Sequence, residues 1–175
     1  MQTIAELDRG TASLARTPKV LDALLRGLDE RGARRSEGGE TWSPFDVVGH
    51  LIHGEETDWI PRARIVLEHG EARPFDPYDR FAQMAQPKAA TLDAELDLFA
   101  ARREESLAAL AALDLRDADL ARTGTHPALG IVTLGQLLST WVVHDLVHLR
   151  QVARLLALEQ RGEVGAWVAY LPLLA

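Results

Sequence analysis

"TLGQLLSTWVVHDLVHLRQVARLLAL", residues 133–158, decides how the chain folds. Leu134, Leu137, Trp141, His144, His148, Val152 and Leu155 recur at steps of three or four residues, the spacing of one helix face. Thr133 with Gln136 three residues later makes a capping-box start. The stretch predicts a long amphipathic helix to about Leu158, with two imidazoles on its inward stripe. Burying them costs free energy unless each is hydrogen-bonded or ligated. Four residues apart, they also stand one turn from each other, close enough to converge on one ion.

Working outward, the rest of the chain supplies partners for that helix. Residues 3–30 carry Ile4, Leu7, Leu14, Leu21, Leu24, Leu25 and Leu28 at helical spacing, with a break expected at Pro18. Residues 31–40, charged and glycine-rich, read as a loop. "WSPFD" starts a second helix: Ser43 caps, Pro44 takes the first helical position and Asp46 the third. It runs to about His69, with a kink expected at Pro61. A third helix covers about 91–113, with Leu92, Leu96, Phe99, Leu107, Leu110 and Leu113 as its stripe and Arg103 on it. Residues 70–90 and 114–131 read as long irregular connections, the first carrying Phe75, Tyr78 and Phe81 as an apolar lid or a cover for the core. The tail from Glu163 is apolar enough to pack as a short helix or strand. The expected architecture is all-α, a four-helix bundle in one domain over residues 1–175.

Composition narrows the function. The net charge is −7 and no Lys/Arg block stands out, which argues against nucleic acid and anionic membranes as partners. Cysteine is absent, so disulfides, thiolate ligands and cysteine nucleophiles are excluded. The acidic N-terminus lacks a signal-peptide core, and no apolar run approaches the ~20 residues of a membrane span. A cytoplasmic protein is expected.

A metal needs a third ligand. In "VVGHLIHGEETDW", residues 47–59, His50 shares a face with Val47, Leu51 and Gly54, and Gly54 leaves space beside it. His50, His144 and His148 therefore form the candidate metal set. His53, three residues from His50, reads as a partly exposed flank residue or else as a fourth ligand or the partner of one; His69 reads as a helix-end cation, and His126 as a turn residue or one that reaches the site. Glu55, about one turn from His50, and Asp145, beside His144, are candidate catalytic bases or orienters of a ligand N–H. Arg103 is the candidate anchor for an anionic substrate group, or the partner of an interior acid. "HDLVH" departs from the zincin H-E-x-x-H by Asp145, and no histidine follows His148. No Glu stands three residues before a histidine, so the di-iron pattern fails.

"TWSPFDVVGHLIHGEETDWIPRA", "RPFDPYDRF" and "HPALGIVTLGQLLSTWVVHDLVHLRQVAR" together resemble the DinB/YfiT-like superfamily. The resemblance covers the second to fourth helices and their connections. It implies a four-helix bundle, often dimeric, that holds one divalent metal per chain, zinc or nickel, on three histidines. By position these are His50, His144 and His148. It also implies a metal-dependent hydrolase acting on a small molecule, or a transferase or isomerase that uses a low-molecular-weight thiol. A metal-stabilised bundle or ligand binder without catalysis is the remaining class. Apolar Trp167, Tyr170 and Leu171 are candidates for the contact of a homodimer.

Overall fold

The computed structural model describes residues 3–79 and 89–174. Phe81 of the expected lid lies outside them. Helices come first: α1 (Ile4–Leu14), α2 (Thr17–Leu25), α3 (Glu30–Arg34), α4 (Pro44–Thr57), α5 (Trp59–His69) and α6 (Leu92–Ala112). Then follow α7 (Asp117–Leu120), β1 (Thr123–His126), β2 (Gly130–Thr133) and α8 (Leu134–Glu159). The tail forms 3-10 turns at Gly165–Tyr170 and Pro172–Leu174. The α1–α2 pair, the α4–α5 pair, α6 and α8 are the four rods of the bundle.

The caps form as their residues dictate. Thr133 and Gln136 exchange hydrogen bonds at the start of α8, at 3.1 and 2.8 Å. Ser43 and Asp46 do the same at α4. The break between α1 and α2 falls at residues 15–16, just before Pro18. It resets the helical phase, so Leu21 and Leu25 are buried while Leu24 turns outward. The α4–α5 break falls at Asp58, three residues before the kink expected at Pro61. Proline at the third position of α5 has no N–H to satisfy, but its ring clashes with the carbonyl four residues back, so the chain must turn before it. Helix α4 is buried on nearly every side from Pro44 to Glu55, as befits the central rod.

Two stretches expected to be irregular are ordered. Residues 30–34 form α3. Strands β1 and β2 form an antiparallel hairpin in which Thr123 faces Thr133 and His126 faces Gly130. Gly130 closes the turn at φ 74°, a conformation that favours glycine. Gly124 lets the hairpin lie against α5: a Cβ there would meet Val66 Cγ2 at 2.8 Å and Phe75 Cε1 at 3.2 Å. The Phe75 amide donates to the Thr125 carbonyl at 2.9 Å, tying the loop after α5 to the hairpin.

The apolar core comes in two clusters. One gathers Leu7, Leu14, Trp59, Leu110, Leu137 and Trp141; the other gathers Leu21, Phe45, Leu51, Leu96, Phe99 and Val152. Between them along α4, α6 and α8 runs a polar layer of His50, His53, Glu55, Arg103, His144, Asp145 and His148. All but the half-buried His144 are buried.

Candidate metal centre

Helix α4 delivers His50, and α8 delivers His144 and His148 one turn apart. His144 Nε2 lies 2.9 Å from His50 Nε2 and 3.2 Å from His148 Nε2. The ligand atoms of all three lie within 4.8 Å of one another. Three nitrogens at ~2.05 Å around a tetrahedral ion stand about 3.3 Å apart, so the spacing fits a divalent metal with little movement. Nitrogen ligands suit zinc, nickel, copper or iron, and the donor set alone does not choose among them.

The outward-facing nitrogens support the same geometry. His148 Nδ1 lies 2.9 Å from Gln151 Oε1, and His50 Nδ1 lies 3.2 Å from the Tyr78 hydroxyl. If Nε2 ligates a metal, each Nδ1 carries the proton and donates to an oxygen, the partner a ligating imidazole needs. His144 Nδ1 is buried and has no hydrogen-bond partner among the described residues. Burial pushes the His144 imidazole down to about 3, helped by the His148 and Arg103 charges. Burial lowers His148 as well. Neutral imidazole is the form that binds metal. Trp42 packs its ring 4.6 Å from His50 and 6.1 Å from His148. Trp42 and Gln151 were not expected in the site, although Gln151 stands one turn from His148, where such a partner belongs.

Beside the histidines lies a second constellation. Arg103 Nη1 and Nη2 bond Asp145 Oδ2 and Oδ1 at 2.6 and 3.0 Å. Its Nε and Nη2 bond Glu55 Oε1 at 3.0 and 2.7 Å, and Nη1 also reaches the Leu14 carbonyl at 2.9 Å. Trp141 Nε1 donates to the same Glu55 oxygen at 3.1 Å. The side chains of Arg103, Glu55 and Asp145 are only 1–2% exposed. Of its two expected roles, Arg103 therefore takes the pairing with interior acids. Burial pushes the Glu55 carboxyl up, against the Arg103 charge. The space beside Gly54 is taken by Trp59, whose Nε1 would lie 3.3 Å from an added Cβ.

His53 is buried, not a partly exposed flank residue. Its ring lies 5.4 Å from Tyr78, covered because α4 is central. His126 sits in β1 with Nδ1 accepting from the Ala128 and Leu129 amides. It lines a pocket that His144 also lines.

The histidines open on one side to a cleft of about 510 Å³, lined by Glu37, Glu40, Thr41, Trp42, Gln151 and Leu155. On another side of His144 lies a smaller pocket of about 290 Å³, walled by Trp59, Phe75, Tyr78, Val132 and Leu137.

A helical bundle with three interior imidazoles converging from two helices is a framework that could hold a metal ion. The chain belongs to the DinB superfamily, whose family model matches residues 13–152. It shares its fold with YfiT from Bacillus subtilis, described as "a probable metal-dependent hydrolase with an unusual four-helix bundle topology". The TM-score is 0.75 at 23% identity, over 89% of this chain and 88% of that one. No curated protein matches the sequence. Among the described residues, no helix is long and apolar enough to cross a membrane.

Proposed function

We propose that the protein is a metal-dependent hydrolase of small molecules, with one zinc or nickel ion held by His50, His144 and His148. The convergence of three Nε2 atoms on one point carries this reading. When bound, the metal supplies Lewis acidity, which acidifies a water ligand and polarises a substrate oxygen. The chain's own groups fix the ligands. Tyr78 and Gln151 orient the His50 and His148 rings, and Trp42 walls the cleft beside both. The Arg103 pairing supports a positioning role for Glu55 and Asp145 rather than that of a base, because Arg103 already engages both carboxylates.

A second reading, a transferase using a low-molecular-weight thiol, draws support from the two cavities that meet at His144, since two substrates need two compartments.

Elemental analysis of protein purified without a histidine tag tests the centre. About one zinc or nickel per chain is expected, lost in His50→Ala, His144→Ala and His148→Ala. Stoichiometric metal retained by His144→Ala refutes the site. Variants that lose metal and stability while no substrate is ever turned over would leave a metal-stabilised bundle. We also propose a homodimer, for which Trp167 and Tyr170, 72% and 79% exposed, supply apolar surface. Light scattering is expected to give twice the chain mass for wild type and a shift toward the single-chain mass for Trp167→Glu with Tyr170→Glu.

A further inference from the structure

Trp59, Phe75, Val132 and Leu137 make apolar walls for the pocket on the hairpin side of His144, where the donors Arg62, Tyr78 and His126 stand beside Asp58, which is paired with Arg62. Arg62 is buried, with its guanidinium over the Phe75 ring at 5.2 Å. Arg62 Nε lies 2.6 Å from Asp58 Oδ1, an ion pair by distance whose N–H is not aligned on the oxygen. Arg62 Nη2 reaches the Asp76 carbonyl at 3.4 Å. Among the described residues Nη1 makes no hydrogen bond. His126 Nδ1 accepts two backbone amides at 3.1 and 3.2 Å, so the ring proton sits on Nε2 as a donor. If His50 donates to the Tyr78 oxygen, the Tyr78 O–H is a third donor at the same pocket. The Gln136 side-chain carbonyl is already used by the Thr133 amide.

We infer that this pocket binds a small, uncharged, apolar compound whose carbonyl-type oxygen accepts hydrogen bonds from Arg62 and His126 beside His144. The volume of about 290 Å³ suits a fragment-sized ligand. A neutral acceptor fits better than an anion because Asp58 already balances the Arg62 charge. Calling this ligand a substrate rests on the metal-centre reading above; its binding does not.

The test is a two-dimensional NMR titration of the full-length chain, chelator-treated and zinc-loaded, with acetophenone, ethylbenzene and benzoate. Acetophenone is expected to shift the amides of Val132, Leu137 and Thr140 saturably. Ethylbenzene, which lacks the acceptor and so both hydrogen bonds, binds roughly thirtyfold more weakly. Arg62→Met, which removes one of them, weakens acetophenone by roughly fivefold. Since that change strands Asp58, Val132→Phe serves as the second variant: it fills the pocket and removes binding with Asp58 and Arg62 intact. Four results overturn the inference: shifts centred on Thr41, Trp42 and Gln151; equal affinity for ethylbenzene; tighter binding of benzoate to the chelator-treated protein; or undiminished binding by Val132→Phe. Titration of chelator-treated protein keeps failure here separate from failure of the metal centre, which elemental analysis decides.

Discussion

Replacing Arg103 by Met would remove one cation from between two buried carboxylates. The five hydrogen bonds of the guanidinium to Glu55, Asp145 and Leu14 would go with it. Its packing at 5.0 Å over Phe99 and 5.2 Å over Trp141 is partly kept by the Met chain. Breaking a buried pair from one side costs about 3–5 kcal/mol, because the remaining charges cannot be hydrated. For a chain of this size each kcal/mol moves Tm by about 2–4 °C, so a loss of roughly 6–20 °C is expected by calorimetry at pH 7. The pH dependence separates this from mere loss of packing. Burial already holds the Glu55 carboxyl above its ordinary value, and removing Arg103 raises it further. A carboxyl raised in the folded state binds a proton there before the unfolded chain does. Stability then falls as pH rises through the unfolded carboxylate range of ~4.3 toward the folded value. The deficit of Arg103→Met relative to wild type should therefore be largest near pH 7 and narrow toward pH ~4.5. Adding Glu55→Gln and Asp145→Asn should recover much of it at pH 7. A deficit below ~1 kcal/mol, or one constant from pH 7 to 4.5, refutes the argument that Arg103 holds two charged acids together.

Two other predictions concern the histidines. Tyr78→Phe removes the hydroxyl 3.2 Å from His50 Nδ1, and loss of such an outer partner should weaken metal binding by about ten- to hundredfold in a chelator competition. An unchanged affinity would mean that Tyr78 only covers the site. Metal-free protein should lose stability as pH falls below ~6.5. Unfolded imidazoles take up protons there, while burial keeps His144, pushed down to about 3, and His148 neutral in the fold. The slope is up to ~1.4 kcal/mol per pH unit for each histidine. Urea unfolding at pH 7.5, 6.5 and 5.5 with chelator present reads it, and stability that rises on acidification contradicts burial of neutral rings.

What the sequence made legible was local. The starts of α4 and α8 follow from caps three residues apart, and the α8 stripe, with His144 and His148 on it, follows from a 3.6-residue period. His53 was misplaced because exposure was inferred from the flank of one helix, whereas α4 is surrounded. The apolar and small residues on all its faces, Val47 to Gly54, carried that signal. The β1–β2 hairpin escaped because four-residue strands have no period to read and Gly124 is explained only by Val66 and Phe75 across the fold. Glu55 and Asp145 were legible as acids near histidines, but adjacency does not show where a carboxylate points. Their shared partner comes from a third helix.

That third helix meets the first through a proline. In a continuous helix the Leu14 carbonyl would accept from the amide four residues on, but position 18 is Pro and has none. The chain breaks there, and the orphaned carbonyl lies inside the bundle, where an unpaired acceptor costs about 1–3 kcal/mol. Arg103 Nη1 fills it at 2.9 Å while the rest of the guanidinium spans to Glu55 on α4 and Asp145 on α8. One side chain thus connects all four rods at the level of the histidines. Asp145 follows His144 directly and lies three residues before His148. Whatever fixes the rotation of α8 at Asp145 also fixes where both imidazoles aim. A polar layer that an apolar core would match in stability is therefore placed where helix rotation decides whether three nitrogens converge.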